Sequence, residues 1–285
     1  ANRFLTPPKL TFPVDASAEF NGTSDYIEVN NLNDYSGYNG LTFSAWMYSG
    51  DLTDNKTIAS NWGDNANLNF GWLVFTGQFV DYRVSWLVSS DGTGYNRLDN
   101  GTNLNENQWY YITCVWEPGA AKIYIDGSLD GSDTGGVPSS IYATDFPTII
   151  GADFDGPNET PFRTFNGNLA NVAIWNRALS SDEINSVMWK TYEQVSTTEK
   201  SGLQAWYKLS ADEVISGDDT ATLTAYANAN SLTFEAPACV QTALNGLPDI
   251  TDARLYSANY DIRVKADGGT VESLSCVETE LNAIL

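Results

Sequence analysis

From Ala18 to Leu209, apolar and polar residues alternate in short bursts, each closed by Gly, Asn, Asp or Pro. The stretch LTFSAWMYS, starting at Leu41, shows the period. Leu41, Phe43, Ala45 and Met47 fall on one face, and Thr42, Ser44, Trp46 and Tyr48 on the other. A period of two is the mark of a strand, and bulk on both faces predicts a sheet covered on both sides. AEFNGTSDYIEV, TIASNW, NFGWLVF, YRVSWLVSSDG, QWYYITCVWEPG, KIYIDG and PTIIGADF repeat this β-branched, aromatic texture. About ten such units in succession predict an all-β sandwich, here placed over residues 15–212 behind a short N-terminal arm, residues 1–14.

Local signals add detail. Asp126-Gly127 after KIYIDG predicts a tight hairpin turn, because Asp tolerates positive φ and Gly adopts it freely. One helix is predicted near Ser181–Trp189: Ser180 can cap it, Glu183 completes a capping box, and Asp182 suits the positive helix end. Ile184, Val187 and Met188 then form one apolar helical face. Residues 213–244 turn small and polar, a linker with room for one or two edge strands. In residues 245–285, Leu274, Val277, Leu281 and Ile284 recur at helical spacing and Gly268-Gly269 marks a break, which predicts a helix–Gly–Gly–helix tail. That tail has too few apolar positions to fold alone, so it is expected to pack on the sandwich or on neighbouring subunits as an assembly or attachment element.

The order and wording of these motifs, through FNGNLANVAIWNRALSSDEI and LQAWYKLS, resemble the laminin-G-like branch of the concanavalin A-like lectin/glucanase superfamily. The resemblance covers the sandwich region. It implies an antiparallel two-sheet jelly roll, with the strands around Trp109–Trp116 and KIYIDG as a central hairpin and LQAWYKLS as a closing strand. The string YDIRVKADGGTVESLSCV resembles C-terminal segments of bacteriophage virion proteins. This second resemblance implies a virion surface or extracellular location and partners among other virion proteins.

Charge narrows the partners. With 36 acidic and 14 basic residues, the net charge is −22, which disfavours nucleic acid and anionic membrane surfaces. No apolar run approaches the ~20 residues of a membrane span, so no membrane insertion is expected. Cys114 lies within a strand and is expected to be a buried thiol. Cys239 and Cys276 flank the C-terminal segment, and their spacing leaves open whether they are bonded.

The chain has no histidine, which excludes Ser–His–Asp and Cys–His catalysis and histidine-ligated zinc. Retaining glycanases of the resembling fold use an E-x-D-x-x-E strand that sets two carboxylates about 5 Å apart, and this spacing is missing. No enzyme is expected. Sugar binding needs flat aromatic faces with nearby amide and carboxylate groups. NWGDNANLNFGW offers Trp62, Asp64, Asn65 and Trp72, and SSDGTGYNR offers Tyr95 and Asn96 with Asp91 and Arg97 beside them. These form the candidate glycan site. GADFDGPNET gathers Asp153, Asp155, Asn158 and Glu159, hard oxygen donors of the kind Ca2+ takes, with Asp153 and Asp155 as the leading metal candidates. Asp25 is a weaker one. The leading expectation is a non-catalytic, lectin-like virion surface protein that contacts glycans. A secreted bacterial carbohydrate-binding or adhesion module, and then a glycan-cleaving enzyme, are the alternatives.

Overall fold

The computed structural model describes residues 17–209, apart from 30, 31, 33, 54, 65–68, 78, 79, 81 and 156–159, together with five strand segments beyond residue 222. The chain opens with β1 (Ser17–Asn21), β2 (Tyr26–Val29), β3 (Leu41–Ser49), β4 (Lys56–Asp64) and β5 (Asn69–Thr76). It continues with β6 (Val84–Gly92), β7 (Asn96–Asp99), β8 (Trp109–Glu117), β9 (Ala120–Ile125) and β10 (Ser128–Asp133). Next come β11 (Thr148–Ile150), β12 (Asp153–Asp155), β13 (Thr160–Phe162), β14 (Asn166–Trp175), α1 (Ser181–Val187) and β15 (Leu203–Tyr207). The last segments are β16 (Leu223–Tyr226), β17 (Thr233–Glu235), β18 (Ile250–Tyr256), β19 (Asp261–Ala266) and β20 (Val271–Ser273).

Two sheets make the sandwich. The first runs β10-β9-β8-β3-β14-β1-β17, with β15 also beside β14; the second runs β16-β2-β11-β4-β5-β6-β7, with β12 and β13 added at β4. Neighbouring strands are antiparallel except for β12, which meets β4 in parallel. The period-two reading of β3 holds. Leu41, Phe43, Ala45 and Met47 enter the central core, whereas Trp46 joins a second cluster on the outer face. Phe43 sits opposite Cys114 and Ala45 opposite Ile112 on β8, and Trp72 and Trp86 face them from the second sheet. Cys114 is free and fully buried, and burial pushes its thiol well up, so it is inert packing.

The outer face of the first sheet is covered by α1. Ile184, Val187 and Met188 pack on Trp46, Trp175 and Trp206, and Trp46 Nε1 donates to the Met188 carbonyl at 3.2 Å. The capping box forms as the sequence predicts: Ser180 Oγ accepts from Glu183 N, and Glu183 Oε2 accepts from Ser180 N. Asp126 and Gly127 both have positive φ, 50° and 76°, which turns β9 into β10. Asp126 also accepts the Tyr111 amide at 2.8 Å, tying the turn to the neighbouring strand.

The tail differs from its expected form. Residues 250–256 and 261–266, before Gly268-Gly269, are paired strands rather than helix, and β20 adds to them as a third. The physical reason is visible in DIRVKA: Ile262, Val264 and Ala266 alternate with Asp261, Arg263 and Lys265, a period of two, whereas the helical spacing begins only at Leu274. The Leu274, Val277, Leu281 and Ile284 stripe lies outside the described residues, as do Cys239, Cys276 and the arm 1–14.

Candidate functional site

One end of the sandwich is closed by the segment running from β10 to β11, residues 134–147. Pro138 O accepts from Trp116 Nε1 at 2.9 Å, and Val137 and Ile141 enter the core. The segment then crosses the second sheet. The Tyr142 amide donates to Ser89 O at 2.8 Å, and Asn61 Nδ2 donates to Phe146 O at 2.8 Å. Glycines on three adjacent strands make room for this crossing. A Cβ at Gly63 would meet the Phe146 ring at 2.0 Å, and one at Gly92 would meet Tyr142 at 2.8 Å. At Gly71 it would meet Asn61 at 2.6 Å and Thr144 at 3.0 Å. Register breaks at Asn61/Trp62 and Phe70/Trp72 accompany the crossing, and such bulges re-aim side chains at sheet ends.

These bulges determine which way the aromatic residues point. Trp72 and Val74 face the central core, while Trp62, Phe70, Leu73, Phe75 and Leu87 cluster on the other side of the sheet. Trp62 stacks on Phe70 with ring centroids 4.1 Å apart and planes 10° apart. Tyr95 stands edge-on to both, at 5.7 and 6.2 Å, and is 47% exposed. Tyr142, 36% exposed, lies against Gly92, the cross-strand partner of Phe70. Two accessible phenol rings therefore flank one buried aromatic stack.

The sequence candidates separate on this geometry. Tyr95 is accessible. Trp72 is fully buried in the central core, and Trp62 is only 3% exposed. Neither offers a free face for stacking on a sugar, so both are corrected from contact residues to packing residues. Asn96 is near the surface, but its amide is engaged, donating to Asp133 Oδ2 at 3.0 Å and linking β7 to β10. Asp64 ends β4, and Asn65 lies outside the described residues. Sequence reasoning missed Tyr142, Phe70 and Asp133. The glycines at 63, 71 and 92 were the signal that something crosses the sheet there.

Asp153, a leading metal candidate, is fully buried and its carboxylate is engaged by protein donors. Arg163 Nε donates to both its oxygens, at 3.1 and 2.9 Å, Arg163 Nη2 adds a further bond, and Thr57 Oγ1 donates at 3.0 Å. Burial pushes its carboxyl up, with the guanidinium and the hydroxyl pulling against that rise. The local cause is that β12 lies against β4 and the β12–β13 hairpin returns Arg163 over it. Asp155 is the Cα partner of Asp64 across the β4–β12 pairing. Asn158 and Glu159 lie outside the described residues, and Asp25 is engaged by Asn21 N and Nδ2 in its own turn. Among the described residues, no three His, Cys, Asp or Glu side chains come together as a metal-holding group.

Two carboxylates neighbour the Tyr95 turn, Asp91 exposed and Asp133 half-buried. Asp91 Oδ1 accepts the Thr93 and Gly94 amides, both at 2.8 Å, in the turn that carries Tyr95. The Gly94 and Thr93 amides hold its carboxyl below the usual carboxylate range. The Asn96 amide and the Gly135 backbone do the same for Asp133.

The family model of the concanavalin A-like lectin/glucanases superfamily matches residues 21–185, and the chain belongs to that superfamily. Over 170 residues it is 25% identical to the sushi, von Willebrand factor type A, EGF and pentraxin domain-containing protein 1 of Rattus norvegicus and 24% identical to the Mus musculus protein of that name. The match covers 58% of this chain and 4% of each of theirs, so the chain spans a small fraction of those proteins. Among solved structures, a candidate carbohydrate-binding protein from Bacteroides ovatus superposes with a TM-score of 0.57 at 18% identity, over 79% of this chain and 60% of the other. The heptameric SAP-like pentraxin of Limulus polyphemus gives 0.51 at 13% identity, over 74% and 94%. These likenesses establish a shared fold.

Proposed function

We propose that this is a non-catalytic, lectin-like protein that binds glycans at the rim around Tyr95. The observation that carries the reading is the exposed Tyr95 ring, held edge-on against the buried Trp62–Phe70 stack with Tyr142 nearby. A rigid phenol presents a flat apolar face to a pyranose, and the surrounding carboxylates and backbone groups are suited to its hydroxyls. Catalysis has little support. The chain has no histidine, and Asp153, buried at this end of the sandwich, is tied to Arg163. Affinity electrophoresis through gels containing soluble polysaccharides tests the reading: the wild type should be retarded and Tyr95→Ala should not. Released reducing ends above background would favour the glycan-cleaving alternative.

The setting we propose is the surface of a bacteriophage particle, where the sandwich contacts host or environmental glycans. Its support is the resemblance of YDIRVKADGGTVESLSCV to virion protein segments. A secreted bacterial carbohydrate-binding or adhesion module is the second reading, favoured by the likeness in fold to the Bacteroides ovatus protein. Antibody labelling of purified particles separates the two. Removal of residues 245–285 should abolish incorporation if the tail is the attachment element.

A further inference from the structure

We infer that the Tyr95 rim selects glycans that carry no carboxylate or sulfate groups, an inference that rests on the glycan-binding reading of that site. The reason is a rim rich in acceptors and anions and poor in free donors. Residues 61–64, 69–72, 88–97 and 133–155, at this end of the sandwich, contain one cation, Arg97, and six aspartates, of which Asp153 is buried and paired with Arg163. Arg97 is paired with Asp99 at 3.5 Å, which neutralises that cation. Asp91 and Asp145 are exposed, and Asp133 is half-buried.

Chain order and the Asn96–Asp133 bond set these charges beside the rim residues. The Asp91 carboxylate is anchored through one oxygen by the Thr93 and Gly94 amides, immediately before Tyr95. Asp133 is fixed by the Asn96 amide, immediately after it, and Asp145 belongs to the crossing segment that carries Tyr142. Because the Asn96 amide group already donates to Asp133, an incoming anionic group has one fewer donor to meet. Sugar hydroxyls can donate to these carboxylates, whereas a uronate or sulfate brings more acceptors and a like charge within a Debye length, about 10 Å at 0.1 M salt. Asp91 and Asp133 are held below the usual carboxylate range, so both stay anionic through neutral pH.

The test is affinity electrophoresis of the full chain in EGTA, so that no divalent cation bridges the rim to an acidic glycan. One half of the panel is uncharged (mannan, galactan, dextran, chitin oligomers) and the other half is acidic (alginate, pectate, heparin). Retardation by an uncharged glycan, lost in Tyr95→Ala, with none by the acidic half at 50 mM NaCl, is the expected result. Neutralising the rim in an Asp91→Asn, Asp145→Asn double variant of unchanged melting temperature should bring retardation by the acidic half at 50 mM NaCl, and less at 500 mM NaCl. Tyr95-dependent retardation by an acidic glycan overturns the selectivity and leaves the glycan reading standing. Retardation by no member of the panel removes both.

Discussion

Trp62 lies flat on Phe70, with ring centroids 4.1 Å apart and planes within 10° of parallel, on the side of the second sheet that faces away from the central core. Both rings are buried, so the pair works as a foundation for Tyr95 rather than as a contact surface. Trp62→Ala should therefore cost about 3–5 kcal/mol of stability, read as a shifted urea midpoint. A Trp62→Ala variant that keeps its stability while losing ligand retention would return Trp62 to the contact surface.

The Asp153–Arg163 pair makes a second prediction. Removing one partner leaves the other charge buried and uncompensated, so Arg163→Met should destabilise by about 3–5 kcal/mol in chemical unfolding. Thr57→Val, which removes a single hydroxyl donor to the same carboxylate, should cost less, about 1–2 kcal/mol. EGTA should leave the melting temperature of the wild type unchanged if Asp153 serves Arg163. A fall on chelation would show that a divalent cation is structural.

Glu199 gives the pH dependence. Burial works to raise its carboxyl, but hydrogen bonds from Lys190, Ser186 and Ser196 outweigh it and bring the value from 4.5 down to about 2. A carboxylate whose folded value is depressed stabilises the fold above its unfolded value and loses that contribution as pH falls through the folded one. The stability difference between wild type and Glu199→Gln should therefore be full above pH 4.5 and shrink as the pH is lowered towards 2. A constant difference across that range would contradict the assignment.

Gly63 tests the crossing segment. A methyl group there would meet the Phe146 ring at 2.0 Å, and that ring is itself packed against Phe154. Gly63→Ala should cost about 1–3 kcal/mol and make residues 134–147 more sensitive to proteolysis. Gly37→Ala, where no neighbour lies within 4 Å and φ is not positive, should leave both the stability and that segment unchanged.

Much of the fold was legible because its signals are local. The alternation in LTFSAWMYS, the Asp126-Gly127 turn and the Ser180/Glu183 box each depend on a few neighbouring residues, and each appears as expected. The site was legible only as a neighbourhood. Trp62 and Trp72 look equivalent in sequence, yet bulges on β4 and β5 send them to opposite faces and bury both. Tyr142 and Asp133 are distant in sequence from Tyr95 and reach its rim only through the crossing segment and the β7–β10 edge. Asp153 looked like a ligand because the residue that engages it, Arg163, follows the return strand of a hairpin.

The most direct test of glycan binding is the mobility of wild type and Tyr95→Ala through gels containing soluble polysaccharides. Tyr95 is half exposed but rests edge-on against Trp62 and Phe70, so its removal should cost about 1–2 kcal/mol, and both proteins should be folded at the assay temperature. The account predicts retardation of the wild type by at least one polysaccharide and none for Tyr95→Ala. Equal retardation of both proteins, or none of the wild type across the panel, would contradict it.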